Sequence, residues 1–549
     1  MRREQVFWGW GEPGAGPSLG EHAQDYLRGE IGIDGGVVSP PVELDAVRLS
    51  EPVLDAALRA RLEAIVGAEA VRSDREARVL RCRGKSYLDL LAQRAGACED
   101  APDAVVAPGG NDEALAVLQA CSEAGVAVVP FGGGTSVVGG VEPLRGAYES
   151  VISLDLARMD RVLAVDERSL TAVLEPGLRL PEADHALAAH GLTLWHVPQS
   201  YEWATVGGCV ATRSAGQLST GHGRIDANLV AARCATPLGE LATLDAPASA
   251  AGPALRQLLA GSEGVLGVIT EVALRVHRLP AMRRFEGWLV PGFEPGCDVL
   301  RALVQSGTAP DVARFSDEAE TNFTLAFAGA GRAAGAFVGR RCLLVCGWEG
   351  TPESVARRRR EAARTLRRVS ARYATQRVGR EWVASRFAGP HLRDGLIDRG
   401  VMVETLETAT SWSNLPALHD AVHEALRGTL AGCHVSHLYP TGASLYFTVF
   451  ARADAADPAG QWRALKDAAT DAIVAAGGTI THHHAVGRDH ARWLADEDGD
   501  LGVELLRAVK ERCDPAGIMN PGKLLAAPPA LARGTAPGAG ARPCRGRGR

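Results

Sequence analysis

Hydrophobic and polar positions change period along the chain, and the clearest change begins near Pro102. The stretch DAVVAPGGNDEALAVLQACSEAGVAVVPFGGGTS has a short apolar run, a turn, apolar positions three and four apart, and a second apolar run that ends in a glycine loop. This pattern predicts a strand, a helix capped by Asn111, a strand and a loop. Such a succession is a βαβ unit.

Short strand-like runs follow this unit. ESVISLDL, RVLAVD and LTAVLEPG each predict a strand, a helix is expected from Pro181, and NLVAARCATP predicts another strand before a boundary near Pro280. A second α+β region is expected beyond it, with strands at RCLLVCGW, HVSHLYP and ASLYFTVFA. Its helices are expected near residues 351–373, 415–428, 457–476 and 501–513.

The length of 549 residues exceeds that of one ordinary core. We therefore expect two large domains with flanking segments. The predicted parts are a wrapping N-terminal segment over 1–99, a first domain over 100–280, a second domain over 281–525, and a disordered Pro-, Gly-, Ala- and Arg-rich tail over 526–549.

The net charge and the distribution of cysteines limit which kinds of protein this sequence can encode. The formal net charge of −6 gives no basic field of the kind that gathers nucleic acid, so no nucleic-acid partner is expected. The eleven cysteines show no repeated C-x-x-C pair and are typical of reduced thiols in a cytoplasmic protein. Neither a secretory signal nor a run long enough to span a membrane is predicted.

One predicted helix is strongly basic. Thr351, Pro352 and Glu353 form a typical helix start, and RRRREAARTLRR follows them. We interpret the arginines as a solvated face, with peripheral contact to an anionic membrane surface as the alternative.

Three glycine-containing segments carry the first chemical signal. VAVVPFGGGTSVVGG ends an apolar run in a loop whose backbone N–H groups could approach a diphosphate, but it matches neither G-x-G-x-x-G nor the P-loop pattern. PQSYEWATVGGCVATRSAG and GSEGVLGVITE supply further glycines and small hydroxyl residues. A glycine triplet alone is more often a plain turn, so the argument depends on all three segments together.

In order and spacing, these segments resemble the flavin-binding domain of the vanillyl-alcohol oxidase and p-cresol methylhydroxylase type flavoproteins. The resemblance implies an α+β chain, with a two-subdomain FAD-binding domain over 100–280 followed by an α+β substrate (cap) domain over 281–525. It assigns flavin contacts to Pro130, Gly132, Gly133, Gly134, Thr135, Ser136, Gln199, Ser200, Thr205, Gly207, Gly208, Thr212, Arg213, Ser214, Ala215, Glu263, Gly264, Gly267, Val268 and Ile269.

Members of that superfamily that hold FAD covalently often use a histidine near the first glycine loop. Here Ser136 is followed by Val137, Val138, Gly139 and Gly140. We therefore predict noncovalent FAD.

The second half of the chain resembles the alkyldihydroxyacetonephosphate synthase family. The segments that carry this resemblance are VARFSDE, ETATSW, LYPTGASLYFTVF, GTITHHHAVGRDHARWL and VELLRAVKERCDPAGI, and FWGWG matches the family near the start. The resemblance implies exchange of the acyl group of acyl-dihydroxyacetone phosphate for a long-chain fatty alcohol, through an adduct at flavin N5 and without net redox change. A homodimer is also expected.

The same resemblance assigns the catalytic residues. Tyr446 aligns with the acid/base tyrosine of the family, whose high pKa would have to be lowered by neighbouring imidazoles or cations. Arg393 and Arg314 align with active-site arginines, and guanidinium forks suit phosphate or a departing carboxylate. Without the resemblance, Tyr446 would be interpreted as a strand residue that fills one face.

The adjacent histidines His482, His483 and His484 are the most distinctive local feature. On an extended segment His482 and His484 would share one side. No zinc site is predicted, because neither cysteines nor a second histidine pair are suitably spaced. We expect imidazoles that bind phosphate and support Tyr446, with one of them titrating near neutrality. An exposed histidine cluster is the alternative.

Two observations keep other functions open. The segment after Arg314 is shorter and richer in Gly and Ala than the apolar gating segment of the synthase family, and CDPAGIMNPGKLL resembles the closing motif of FAD-linked 2-hydroxy acid dehydrogenases. The alternative function is therefore an FAD-linked oxidoreductase acting on a hydroxy acid or an alcohol. A flavin-binding scaffold with a degenerate site is the third candidate.

Overall fold

The computed structural model describes residues 3–14, 19–33, 36–329, 339 and 341–525. The strands are β1 (Val71–Arg72), β2 (Ala104–Val106), β3 (Ala127–Phe131), β4 (Val151–Asp155), β5 (Val162–Asp166), β6 (Thr171–Leu174), β7 (Leu192–Thr193), β8 (Leu229–Thr236), β9 (Gly239–Ala242), β10 (Val268–Arg275), β11 (His277–Arg278), β12 (Met282–Val290), β13 (Val312–Ser316), β14 (Cys342–Gly350), β15 (Arg372–Thr375), β16 (Val401–Ser411), β17 (Leu430–Tyr439) and β18 (Gly442–Arg452).

The helices are α1 (Glu21–Ile31), α2 (Ala56–Val66), α3 (Arg75–Leu80), α4 (Tyr87–Arg94), α5 (Asn111–Ala124), α6 (Leu180–Ala188), α7 (Val206–Ala211), α8 (Ser219–His222), α9 (Ile225–Asn228), α10 (Arg256–Leu259), α11 (Phe293–Gln305), α12 (Glu318–Phe327), α13 (Pro352–Arg368), α14 (Gln376–Ser385), α15 (Ala388–Ile397), α16 (Leu415–Ala425), α17 (Pro458–Ala475) and α18 (Leu494–Cys513).

The first sheet has the order β1-β2-β4-β3, with β2, β4 and β3 parallel. Helix α5 joins β2 to β3, so the predicted βαβ unit is present, with β4 inserted between its strands. Asn111 was predicted as the helix cap, but Gly110 occupies that position. Asn111 is the first helical residue, and its Oδ1 accepts a hydrogen bond from Thr270 Oγ1 at 2.8 Å.

The end of the described chain completes this first sheet. Val128 N donates to Ile518 O at 2.8 Å, and Asn520 N donates to Val128 O at 2.8 Å. Ile518 and Met519 are buried in the core beneath β3 and β4. The C-terminal segment therefore packs on the first domain, next to the loop that follows β3.

The second sheet is antiparallel, with the order β5-β6-β10-β8-β9. Helices α6 and α7 contribute Leu180, Leu187, Val206 and Val210 to the core of this sheet. The two sheets correspond to the two subdomains that the resemblance predicted.

The third sheet has seven strands in the order β15-β12-β14-β13-β17-β18-β16, and every pairing is antiparallel. Helices α11, α13, α16 and α17 supply buried residues to the large core on one face. Helix α13 begins as predicted, because Thr351 Oγ1 accepts the N–H of Ser354 at 3.3 Å and Pro352 is the first helical residue. The opposite face of the sheet carries the polar residues described below.

Residues 3–14 form an N-terminal strap that connects the two domains. Gln5 Nε2 donates to Gly133 O at 3.0 Å, and Trp10 N donates to Asp394 Oδ2 at 2.7 Å. Lys85 Nζ donates to the carbonyl oxygen of Val6 at 2.9 Å, which also fixes the strap. The strap thus contacts both the loop after β3 and helix α15.

Two predicted features lie wholly or partly outside the described residues: the tail over 526–549, and residues 330–338 and 340 of the Gly- and Ala-rich segment after Arg314. Among the described helices, none combines the length and apolar character that crossing a bilayer requires. The ten cysteines of the described part are free thiols, in line with the prediction of reduced cysteines.

Candidate active site

The glycine loop (residues 132–136) follows β3 and lies against the segment around Trp203. A Cβ atom on Gly133 would lie 2.2 Å from the carbonyl oxygen of Trp203, which no side chain could tolerate. Gly134 has φ +65°, a conformation that favours glycine. The triplet is therefore required by the contact that brings the first two predicted flavin segments together.

The polar groups of the second predicted flavin segment mostly shape their own loop. Thr205 caps α7 by accepting the N–H of Gly208 at 3.3 Å, and Thr212 Oγ1 donates to Gly208 O at 2.9 Å. The Arg213 guanidinium donates to Ala260 O at 2.8 Å. These side chains hold the backbone in place and leave cofactor contact to neighbouring main-chain groups.

Other predicted flavin positions in the second and third segments have similar roles. Gln199 Nε2 donates to Arg386 O at 2.6 Å, and Ser214 Oγ lies 3.1 Å from His196 Nε2. The buried or closely packed positions are Gly207, Ala215, Gly267, Val268 and Ile269. Ser200 accepts a backbone hydrogen bond in the turn before α7.

Glu263, in the third segment, connects the flavin-binding domain to the histidines. Its carboxylate accepts the N–H groups of Val486 at 2.8 Å and Gly487 at 2.7 Å, directly after the triple histidine. Burial raises the pKa of Glu263 to about 7. Beside it, Gly264 packs on Pro130, where a Cβ atom would lie 2.9 Å from the proline ring. Glu263 thus fixes the relative placement of the two halves of the site.

The glycine loop lines a cleft together with residues 4–7 of the N-terminal strap, and the diphosphate part of FAD would lie against this loop. Within the described part of the chain, the N–H groups of residues 133–136 donate to no other protein group. Four basic residues line the cleft, Arg81, Arg83, Lys85 and Arg179, together with the acids Glu4 and Asp155, which pair with Arg81. Free N–H groups beside basic side chains are a general solution for binding phosphate.

Two buried acceptors in the same cleft also call for a ligand. Gln5 Oε1 and Gln93 Oε1 have no hydrogen-bond partner among the described residues, and both residues line the cleft. A buried amide oxygen without a donor is costly, by about 1–3 kcal/mol. Hydroxyl or amine groups of a bound FAD would satisfy them, so the residues present fit the cofactor.

Tyr446 lies on the polar face of the seven-stranded sheet. Its neighbours in sequence, Leu445 and Phe447, point into the core and are fully buried, as strand alternation requires. Tyr446 is paired across the sheet with Glu407 on β16 and His434 on β17. The His434 and Tyr446 rings stack with centroids 4.8 Å apart.

The phenol of Tyr446 is protonated at rest. Burial raises its pKa to about 12, and the opposing effects of Thr405, Arg314 and Arg393 do not offset that rise. The two cations lower this pKa, as proton transfer by the tyrosine was expected to require, but by less than burial raises it. Desolvation of the phenolate outweighs attraction to the two guanidinium groups.

Glu407 is the acceptor around which the triple histidine folds. Its carboxylate accepts the N–H groups of His482, His483 at 3.1 Å and His484 at 2.7 Å, and the hydroxyl of Thr481 at 2.6 Å. Burial alone would raise the pKa of Glu407, but His483, His484, His482 and Thr481 hold it well below its usual value. The backbone of the histidine segment therefore bends around the carboxylate of Glu407.

This wrapping overturns the predicted alternation of side chains. His483 and His484 both face Tyr446, with ring centroids 6.0 and 5.5 Å from it. His482 instead contacts the hydroxyl of Tyr439 through Nε2 at 2.7 Å. The expectation failed because it assumed an extended backbone, whereas three successive N–H groups converge on Glu407.

The three imidazoles are neutral at physiological pH. Burial lowers the pKa of His482 and His483 to about 3 and that of His484 to about 4. The expectation that one of them titrates near neutrality is therefore wrong. Neutral imidazoles can still accept or donate hydrogen bonds through either ring nitrogen.

Arg314, on strand β13, belongs to a cluster of polar side chains with Glu320 and His434. Its guanidinium donates to Glu320 Oε1 at 2.8 Å and lies 3.3 Å from His434 Nε2. His434 Nδ1 is 2.9 Å from the same oxygen of Glu320. With 28% of its side chain exposed, Arg314 can still turn a donor toward a substrate anion.

Arg393 projects from α15 between the two domains. Its Nη2 donates to Lys85 O at 2.5 Å, and its buried Nε has no partner within the described residues. Burial lowers the pKa of its guanidinium, with Asp394, Glu404 and Tyr446 acting in the opposite direction. Tyr446 is close enough to affect the pKa of Arg393, and the Nε–H of Arg393 remains available for another acceptor.

Sequence reasoning missed Glu407, His434 and His437. The signal for Glu407 was present, because it starts the ETATSW motif and a buried acid must find donors. His437 could not be placed from alternation alone, since a register irregularity between Val435 and Leu438 turns it to the same face as His434. Its ring stacks on His482 at 5.1 Å.

The convergence of His437 with His482 and His483 shows that the spacing argument against a metal was incomplete. Nitrogen atoms of these three rings lie within 4.8 Å of one another. The ring nitrogens of His482 are used, however, by the Tyr439 hydroxyl at 2.7 Å and by His483 Nδ1 at 3.0 Å. We therefore interpret this group as a hydrogen-bonded part of the active site.

Comparison with known proteins agrees with the fold. Residues 102–245 match the FAD binding domain family, and residues 279–524 match the C-terminal domain of FAD linked oxidases. A solved structure of 4-ethylphenol oxidase from Gulosibacter chungangensis superimposes with a TM-score of 0.69 at 15% identity, covering 87% of this chain and 99% of that one. At this identity the likeness concerns the fold alone.

Two further matches are more specific. A solved alkyldihydroxyacetonephosphate synthase superimposes with a TM-score of 0.81 at 27% identity, covering 94% of this chain and 98% of that chain. The alkyldihydroxyacetonephosphate synthase of Trypanosoma brucei brucei is 31% identical over 509 residues, which are 88% of this chain and 82% of the relative. The chain is therefore an FAD-dependent enzyme that belongs to the alkyldihydroxyacetonephosphate synthase family.

Proposed function

We propose that this enzyme exchanges the acyl group of acyl-dihydroxyacetone phosphate for a long-chain fatty alcohol, which forms the ether bond of ether lipids. The observation that carries the proposal is the polar face of the seven-stranded sheet. One phenol, two guanidinium groups and several neutral imidazoles meet there, and Glu263 connects them to the flavin-binding segments.

Each group has a role that its surroundings support. Arg314 and Arg393 are the anion-binding groups, because each has a donor that is exposed or without a protein partner in the described part. They would hold the substrate phosphate and the carboxylate that leaves. Tyr446 carries the proton at C1 of the substrate, and its high pKa means that it enters the reaction as a phenol.

Proton transfer from C1 to Tyr446 therefore requires the phenol to pass its own proton on. His483 and His484 face Tyr446 and are neutral, so each has a ring nitrogen that can accept a proton. Transfer from a phenol with a pKa of about 12 to imidazoles with pKa values of about 3 and 4 is uphill, so it must occur together with removal of the proton from C1. Glu407 is close to His483 and His484 and would stabilise the imidazolium that forms. Tyr446, the histidine segment and Glu407 thus form a relay.

The proposed cofactor site lies on the side of Glu263 that faces away from the histidine segment. Residues 133–136 would hold the diphosphate of FAD, and Asn520, whose side-chain amide donates to Gly140 O at 3.1 Å and to Glu263 O at 2.6 Å, ties the C-terminal segment to the neighbouring loops. When bound, FAD supplies an electron-accepting ring that stabilises negative charge developed on the substrate carbon. The exchange itself needs no external oxidant.

An assay without electron acceptor tests the proposal. Flavin-loaded enzyme would be incubated with palmitoyl-dihydroxyacetone phosphate and labelled hexadecanol, with Tyr446→Phe as the inactive control. We expect labelled alkyl product and one free fatty acid per turnover. Absence of alkyl product, together with acceptor-dependent oxidation of a hydroxy acid, would replace the proposal with the oxidoreductase alternative.

We also propose that the enzyme meets its lipid substrates at a membrane surface as a cytoplasmic, peripheral protein and a homodimer. Exposed arginines on α13 support the membrane contact; they are Arg357, Arg360, Arg364, Arg367 and Arg368. Binding to anionic but not neutral vesicles is expected, and equal binding to both would favour the solvated-face interpretation. Light scattering in solution measures the oligomeric state.

A further inference from the structure

A second group of potential metal ligands lies on the opposite, helix-covered face of the seven-stranded sheet. His419 Nε2 and His423 Nε2 lie 3.2 and 3.0 Å from the same oxygen of Asp317, Oδ2. One ligand atom from each residue lies within 4.8 Å of the other two. We call Asp317, His419 and His423 the back-face triad.

The local sequence explains why these side chains converge. His419 and His423 are four residues apart on α16, so both project from the same side of that helix. Asp317 follows β13 and caps α12, but it uses Oδ1 for this purpose, accepting the N–H of Glu320 at 2.7 Å. Capping therefore leaves a lone pair of Oδ2 for another partner, although the N–H of Cys433 also approaches Oδ2 at 3.0 Å.

The surroundings of His419 resemble the support that metal-binding histidines have. Its other ring nitrogen, Nδ1, lies 3.1 Å from Oδ1 of the exposed Asp420, and donation from Nδ1 to this carboxylate would leave Nε2 for a cation. The ring also stacks on Phe293 with centroids 4.0 Å apart, which limits its rotation. A histidine that binds a metal in a preformed site needs its ring held in one orientation, and a carboxylate and ring packing both contribute to this for His419.

The three side chains of the back-face triad differ in exposure, and the most exposed one leaves a route for a cation. The Asp317 side chain is 3% exposed, His419 13% and His423 25%. A cation can therefore enter on the His423 side, where a water molecule would complete the coordination. The ligand separations of 3.0 and 3.2 Å are close to the roughly 3.3 Å expected between tetrahedral ligands with ~2.0 Å bonds.

We propose that the back-face triad binds a divalent transition-metal cation of the zinc class through two imidazole nitrogens and one carboxylate oxygen. Two nitrogens and one oxygen are a donor set typical of zinc. Such a cation would connect α16 to the corner between β13 and α12. The same corner carries Glu320, which holds Arg314 and His434 on the other face of the sheet. The cation would thus brace the active site from behind, and the proposal does not depend on which reaction the enzyme performs.

Metal binding by the flavin-loaded enzyme tests this inference. After chelator treatment and dialysis, Zn²⁺ would be titrated by calorimetry into wild type, His423→Ala and Asp420→Asn. Two control variants change histidines outside the triad: His190→Ala, at the exposed pair with Glu167, and His482→Ala, at the other histidine cluster. Cobalt would then replace zinc, because tetrahedral Co²⁺ absorbs at longer wavelengths than flavin.

We expect wild type and both control variants to bind Zn²⁺ at the triad and to show the tetrahedral cobalt spectrum. His423→Ala should lose at least tenfold in affinity, and Asp420→Asn about 10- to 100-fold if it supports the ligand. Thermal unfolding of wild type should shift upward with added Zn²⁺, which needs no variant to fold. A wild type without binding heat or thermal shift, or His423→Ala with unchanged affinity, would overturn the proposal.

Discussion

Tyr446 has a single titratable atom, which makes its role separable from its packing. Tyr446→Phe keeps the ring and its stacking on His434, so flavin content and thermal stability should stay near those of wild type. Loss of the proton carrier should lower turnover by ~10²–10⁴-fold in the alkyl-exchange assay. Tyr373→Phe, on the exposed strand β15, is a matched control expected to leave turnover unchanged. Wild-type turnover in Tyr446→Phe would restrict the residue to a packing role.

Arg393 depends on geometry as well as charge. Arg393→Lys keeps a cation but loses the fork that allows one donor to hold Lys85 O while another meets an anion. kcat/KM should fall sharply with flavin content unchanged. Arg399→Lys is the control, because Arg399, just beyond the end of α15, donates to the carbonyl of Gly395 in that helix at 2.7 Å. Equal kcat/KM for wild type and Arg393→Lys would remove Arg393 from the active site.

At the scale of elements, the histidine segment depends on a close backbone contact. Gly487 has φ +55°, and a Cβ atom there would lie 2.2 Å from Val138 O. Gly487→Ala should displace the segment from Glu263 and lower both flavin content and the unfolding temperature. Gly517→Ala is the control, since Gly517 has φ +72° with open space around it and should cost only the ~1–2 kcal/mol of left-handed backbone strain. Similar losses in both variants would indicate that backbone strain alone is responsible.

Elements were more predictable than the contacts between them. The βαβ unit, helix α13 and strand β18 could be predicted from local periodicity. Each has an apolar face or an apolar run that is readable from the sequence itself. Tyr446, Arg314 and Arg393 were found through the family resemblance. The wrapping of the histidine segment, the irregularity that turns His437 and the neutral state of the imidazoles depend on Glu407 and on burial, which no local pattern encodes.

For the molecule as a whole, the manner of flavin binding can be measured directly. Val137 and Val138 stand where an attachment histidine might otherwise lie, so the cofactor should be held without a covalent bond. Acid precipitation should release the yellow colour completely into the supernatant. Colour that remains in the pellet would contradict noncovalent binding.

Stability of the whole molecule should fall in mild acid. Burial lowers the pKa of His196, His222, His277, His434, His437, His482, His483, His484 and His490. These groups bind protons in the unfolded chain below its pKa of about 6.5 but stay neutral in the folded one, so stability is present above that pH and is lost as pH falls. Glu263, Asp489 and His419 act in the opposite direction, because their raised pKa values favour the folded state in acid. The nine histidines outnumber these three groups, so the urea midpoint should decrease from pH 7.5 to pH 5.5, and an increase would contradict this assignment.

The N-terminal strap has a consequence for how the enzyme matures. The strap contains the first described residues of the chain, yet Trp10 donates to Asp394, which is 384 positions later. The ribosome must therefore make most of the protein before the cover over the glycine loop can close. Until then the glycine loop stays uncovered, so we expect the cofactor to enter before the strap docks.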